Sequence, residues 1–166
     1  MIRVITIEAI YPGDPDQIFA EALDLREMKQ AMAGIARYDR LPDKVIEQGD
    51  RYDVDVTMWG WLKTRHHVMQ VVRVDPAARI VQSHESNPQV RRWDHRLSFG
   101  PHPEGALWTD RIVLDAGWQT PITARFCRHV YRQRHIARRA LRIATRIRRG
   151  GEDDGDATGL GPGDRA

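Results

Sequence analysis

The chain opens on Ile2-Arg3-Val4-Ile5-Thr6-Ile7-Glu8-Ala9-Ile10, where β-branched residues alternate with polar ones at nearly period two. That is the pattern of a strand with one buried face. Tyr11-Pro12-Gly13-Asp14-Pro15 ends it, and Asp14 before Pro15 predicts a helix start, an acceptor at the cap with proline at the first helical position. Ile18, Phe19, Ala22 and Leu23 then recur at helical spacing, and residues 26–32 predict a second short helix. From residue 43 to residue 114 the pattern becomes a series of strand-length runs, at 44–48, 51–59, 62–75, 79–86, 90–99 and 106–114. The breaks between them carry Gly, Pro, Asn and Asp, as at Gly49-Asp50, Asp75-Pro76 and Asn87-Pro88, which tolerate turns or forbid pairing. Residues 122–148 read as one long helix whose apolar positions Phe126, Val130, Ala137, Leu141, Ala144 and Ile147 step by three, four or seven, with arginine on its other faces. The class is therefore α+β: a curved seven-stranded antiparallel sheet, two short helices, and a long C-terminal helix able to cover the sheet's apolar face and enclose a cavity.

The hairpin over 90–114 gives the sharpest side-chain reading. If 100–105 is its loop and Phe99 faces Ala106, one face carries Trp93, Leu97, Phe99, Trp108 and Ile112, and the other Arg92, Arg96, Thr109 and Arg111. The first is the inner face. On that register His95 sits opposite Asp110 within the apolar set, their Cβ atoms about 5 Å apart. Alternation likewise places Tyr52, Val54, Val56 and Met58 inward on the run 51–59, and Leu62, Thr64, His66, Val68, Gln70, Val72 and Val74 inward on 62–75.

Composition changes this picture little. With 166 residues, 41% hydrophobic and 30% charged, the chain has the balance of one globular domain, placed at residues 1–149. Residues 150–166 are Gly-rich and acidic and are expected to form a disordered tail. No window approaches the roughly 18 uncharged residues of a membrane span, and the N-terminus lacks the blocks of a signal peptide, so a cytoplasmic location is expected. Cys127 is the only cysteine, which excludes an intrachain disulfide and a thiolate-rich metal site. Arginine is uneven: residues 122–149 carry ten and no acid, whereas 150–166 carry five acids and one arginine. A basic helix suggests transient contact with anionic membranes more than nucleic acid, because no aromatic stacking motif accompanies it and arginine outnumbers lysine 23 to 3 throughout the chain.

Three local motifs stand in order on these elements. They are Ile7-Glu8 followed by Pro15-Asp16-Gln17-Ile18-Phe19, then Trp93-Asp94-His95 with Phe99 and Thr109-Asp110-Arg111-Ile112, then Tyr131-Arg132-Gln133-Arg134. Together they resemble the START/Bet v 1-like (SRPBCC, polyketide cyclase/dehydrase) superfamily, in particular a bacterial ligand-binding branch of it, over roughly residues 2–149. The resemblance implies a helix-grip fold and an internal cavity that holds lipids, polyketide-like or aromatic molecules, in members that carry ligands or act as cyclases and dehydratases.

The expected function is thus binding or carriage of a small apolar ligand, with Trp93, Leu97, Phe99, Trp108, Ile112, His66, Val54, Val56, Met58, Phe126 and Val130 as candidate lining. The alternative is an enzyme of cyclase or dehydratase type in which His95 and Asp110 are the catalytic pair. Such a pair admits acid–base work on a bound carbonyl compound, anchoring of a ligand's polar end, or a structural bridge across the hairpin. Trp59 and Trp61 flank a turn, at a place suited to a cavity mouth. No cofactor is expected, since no phosphate loop, nucleotide fingerprint or nucleophile elbow is present. His66, His84 and His95 lack metal-ligand spacing, so no metal is expected either.

Overall fold

A computed structural model describes residues 1–153, with side chains to Thr145. The element order is β1 (Arg3–Tyr11), α1 (Pro15–Ala22), α2 (Leu25–Met32), β2 (Ala36–Asp39), β3 (Arg51–Met58), β4 (Leu62–Asp75), β5 (Ile80–Asn87), β6 (Val90–His102), β7 (Gly105–Asp115), a single 3-10 turn (Gly117–Gln119) and α3 (Thr120–Asp153). The seven strands form one antiparallel sheet in the order β1-β7-β6-β5-β4-β3-β2. The sheet curls, the short helices bridge β1 to its far edge, and α3 packs on the inner face. This is the helix-grip arrangement.

Local chemistry sets the boundaries. Asp14 and Asp24 each cap a short helix, accepting from the backbone N–H two residues on at 2.8 and 2.9 Å. Pro15 occupies the first turn of α1. The buried side chains fall into three patches: Ile5, Ile7, Ile112 and Leu114 under the N-terminal half of α3, Tyr11, Ile18, Phe19, Phe99 and Trp108 under α1, and Leu25, Met32, Val54 and Val130 under α2.

Four expectations are corrected. Residues 44–48 are not a strand. Val45 makes one isolated bridge to Asp24 and stays half exposed, while Leu25 N–H donates to the Lys44 carbonyl and Ile46 N–H to that of Leu23. This segment ties down the junction of the two short helices, and β2 takes the edge position instead, paired to β3. The β6–β7 hairpin turns on Pro103-Glu104, not on 100–105, so pairing runs three residues further and Phe99 faces Trp108. That moves the register by two, which leaves every side chain on its expected face. The helix α3 continues through Asp153, beyond its expected end at 148; residues 154–166 of the expected tail lie outside the described residues. Its buried side is Cys127, Val130, Tyr131, Arg134, His135 and Arg138, while Leu141 and Ala144 are exposed. Among the described residues no helix is long and apolar enough to cross a membrane.

Gly105 closes the β6–β7 turn with a φ of +131°, and a Cβ there would lie 2.2 Å from the Tyr11 carbonyl oxygen. Backbone cannot yield as a flexible side chain does. Gly105→Ala is therefore expected to destabilise the protein by about 2 kcal/mol or more, read from urea unfolding; a loss under about 0.5 kcal/mol would contradict this packing.

Candidate functional site

A pocket of about 220 Å³ lies between the inner face of the sheet and the helices α2 and α3. Its apolar wall includes Met28 and Met32 from α2, Val56 and Met58 from β3, Met69 and Val71 from β4, Leu97 from β6, and Phe126 and Val130 from α3. Its polar wall comes from His67, Ser83, Glu85, Asn87, His95, Arg134 and Arg138, with Trp93 and Trp108 between the two.

Of the residues expected to line a cavity, Trp93, Leu97, Trp108, Val56, Met58, Phe126 and Val130 border this pocket, as does His95. Three others are packed behind it. Phe99 is wedged against Phe19 and Trp108, with ring centroids 5.7 and 4.7 Å away. Ile112 sits among Ile5, Ile7 and Leu114. Val54 is fully buried among Leu25, Met32 and Val130.

His66 is corrected outright: it is exposed, and His67 points inward in its place. The cause is a bulge opposite Val54–Val56, where His66 takes a φ of +53° and its N–H donates to Asp55. A bulge inserts one residue and so exchanges the faces beyond it. A second irregularity between Val71 and Arg73 restores the original phase, so that Thr64 and Val74 both follow the expected alternation although His67, Met69 and Val71 do not. His84 also lies on the outer face, bonded to Asp94 at 2.8 Å, so His66, His84 and His95 do not meet. Trp59 packs edge-on against Phe126 at 5.5 Å and Trp61 is largely exposed; neither borders the pocket.

Asp110 is fully buried behind the polar wall and anchors two of its residues, His95 and Arg134. Its Oδ1 accepts from His95 Nε2 at 2.7 Å and from Arg134 Nη2 at 2.8 Å, and its Oδ2 accepts from His135 Nε2 at 2.6 Å. In the observed register His95 stands opposite Ile112 and Leu97 opposite Asp110, so His95 and Asp110 meet diagonally. The His135 Nδ1 lies 2.6 Å from the Tyr11 hydroxyl, a spacing at which the neutral ring favoured by burial accepts from the phenol. On its other side, His95 Nδ1 lies 3.3 Å from the Tyr131 hydroxyl and 3.6 Å from Glu85 Oε1. Glu85 in turn accepts from Ser83 at 2.8 Å and meets His67 Nε2 at 3.1 Å.

Charge follows from these contacts. Burial would raise the Asp110 carboxyl, but Arg134 and the two imidazole N–H groups hold it well below the usual carboxylate range. Glu85 is likewise held low by His67 and His95 against its own burial. Burial works to lower His95, yet the bonds to Asp110 and Glu85 win and its pKa is raised. His135 is lowered, chiefly by burial. Burial also pushes the Cys127 thiol and the Tyr131 hydroxyl up, and Tyr11 up to about 12. The pocket wall thus gathers charged groups, and among them His95, set between Asp110 and Glu85, has its protonated form favoured.

Sequence reading found His95 and Asp110 but missed Arg134, His135, Arg138, Glu85, Ser83 and His67. For α3 the usable signal was the spacing Cys127, Tyr131, Arg134, Arg138, which continues an apolar stripe into charged residues. For β5 it was the alternation Val81, Ser83, Glu85, which puts an acid on the same face as a buried valine.

No protein-family model matches the chain, and no curated protein sequence does. Solved structures are similar to it. Protein CV1439 from Chromobacterium violaceum matches over 83% of this chain and 95% of its own, with a TM-score of 0.66 at 12% identity. Ara h 8.0201, a Bet v 1 homologue, matches over 87% and 99%, with a TM-score of 0.65 at 9% identity. Protein Ms6760 from Mycobacterium smegmatis matches over 83% and 89%, at 0.66 and 14%. At such identities the likeness concerns the backbone, and it makes this a Bet v 1-like fold.

Two outcomes test the wall. Asp110→Ala leaves Arg134 and His95 buried without their counter-charge and is expected to cost about 3–5 kcal/mol of stability in urea unfolding, whereas a cost below about 1 kcal/mol would mean the carboxylate is dispensable. For His95 the folded protein binds the proton more tightly than the unfolded chain does. The stability it contributes is fully present below the unfolded value near 6.5 and is lost as pH rises through the higher folded value. The stability advantage of wild type over His95→Gln should therefore be larger at about pH 6 than at about pH 9; an advantage that grows with pH would show a neutral ring.

Proposed function

We propose that the protein binds a small apolar ligand in the pocket between its sheet and α3, as a binder or carrier. The observation that carries this reading is the lining itself. Apolar side chains from α2, β3, β4, β6 and α3 converge on about 220 Å³, and polar groups are gathered at one wall. Four of the five methionines, Met28, Met32, Met58 and Met69, border the pocket. Unbranched thioether side chains adapt to the shape of a guest. The Bet v 1-like fold supports the same reading, as a framework that leaves room between a curled sheet and a helix.

The cyclase or dehydratase alternative needs His95 to exchange a proton with a guest. Both of its ring nitrogens already face protein partners, Asp110 on one side and Tyr131 with Glu85 on the other. An imidazole whose proton is shared with two neighbouring carboxylates has little freedom to exchange it with a guest, and Asp110 is engaged by three donors. These contacts favour a wall that orients and stabilises over one that reacts.

N-phenyl-1-naphthylamine, a neutral apolar dye, tests the reading. It is expected to brighten and bind saturably to wild type, and Met69→Trp, which fills the pocket, is expected to weaken that binding about tenfold or more while shifting the thermal midpoint by only a few degrees. Equal dye binding by both proteins would place the dye elsewhere and remove the support.

A further inference from the structure

Among the described residues, five buried side-chain polar atoms lack a hydrogen-bond partner: Nε1 of Trp93, Nε1 of Trp108, Nε of Arg134, and Nε and Nη1 of Arg138. All five are N–H donors, none is an acceptor, and all four residues border the pocket. Buried donors are normally satisfied, so a group of them without acceptors needs an explanation.

Three of the four residues converge. The guanidinium carbons of Arg138 and Arg134 lie 4.2 and 5.7 Å from the centroid of the Trp108 ring. Trp93 stands apart, against Tyr131 and His67. Each guanidinium is anchored by an acid that does not border the pocket: Arg134 Nη2 donates to Asp110, and Arg138 Nη2 donates to Glu27, which lines the outer groove beside α1 and α3. Both arginines are more than nine-tenths buried, at 9% and 3% exposure, so water does not serve their remaining N–H groups as it would at the surface. Glu85 also borders the pocket, but its oxygens are engaged by Ser83 and His67, with His95 beside them.

We propose that the ligand is an amphipathic acid, a hydrocarbon chain ending in a carboxylate, with the carboxylate seated against Arg138, Arg134 and the Trp108 indole N–H. The inference rests on the ligand-binding reading above and names the class of ligand. A carboxylate is acceptor-only, supplies about four lone-pair sites, and forms charge-assisted bonds to guanidinium. An alcohol brings an O–H for which the described residues hold no orphaned buried side-chain acceptor, and an amine adds a cation to a cluster of donors. The methionine-lined side suits the flexible tail.

Displacement of N-phenyl-1-naphthylamine from the full chain by decanoate, 1-decanol and decylamine tests this without relying on any variant. Decanoate is expected to bind about tenfold or more tightly than 1-decanol, with decylamine weakest. In Arg138→Met and Arg138→Gln, checked for folding by circular dichroism, decanoate should fall to the level of 1-decanol, whose own affinity stays within about twofold. Equal displacement by acid and alcohol in wild type, or displacement by neither while the dye still binds, overturns the carboxylate seat and leaves the pocket reading standing. A preference for decanoate that survives in both Arg138 variants also overturns the seat. Failure of the dye itself to bind removes both inferences.

Discussion

The polar wall depends on one fully buried carboxylate. Asp110 accepts from three donors that come from two elements, His95 on β6 and Arg134 and His135 on α3. It thereby fastens the long helix to the sheet through charge, beside the Tyr11–His135 and Tyr131–His95 contacts and the apolar packing of Cys127 and Val130. A buried ion cluster of this kind holds only when each lone pair and each N–H finds a partner. The carboxylate meets that condition; the guanidiniums do so only in part, and both belong to residues that border the pocket. In the proposed reading the same arginines serve stability and recognition, each with one end tied to an acid.

Much of the framework was legible in the pattern of the chain. Period-two alternation located β1 and the long strands, Asp14-Pro15 marked the start of α1, and the inner face of the β6–β7 hairpin survived a two-residue error in register because parity, not register, decides the face. What alternation could not see was where it breaks. The bulge at His66 exchanges the faces of β4 for five residues and then a second irregularity restores them, so a strict even-numbered reading chose His66 where His67 is the inward residue. A bulge has no strong signature in a run of Thr, Arg and His.

The helix was misread for the opposite reason. An apolar stripe was sought, and Leu141 and Ala144 were assigned to it, whereas the buried stripe passes through Arg134, His135 and Arg138. A helix rich in arginine looks solvated on every side that is not apolar. Only a buried acid on a facing strand makes a buried arginine tolerable, and that long-range fact is absent from the local pattern of α3. The same limit holds for the polar pair: the Trp93-Asp94-His95 and Thr109-Asp110 motifs contain His95 and Asp110, but the contacts of those two residues run to Arg134, His135 and Glu85, which the motifs do not contain.

The proposed function requires a small amphipathic or apolar guest beneath α3. Native mass spectrometry of protein purified from its own host addresses it most directly. The expected result is a folded species heavier than the chain by one small molecule, which is released on denaturation and extracts into organic solvent. A folded species at the bare chain mass, unchanged after incubation with a lipid extract of the same cells, would contradict it.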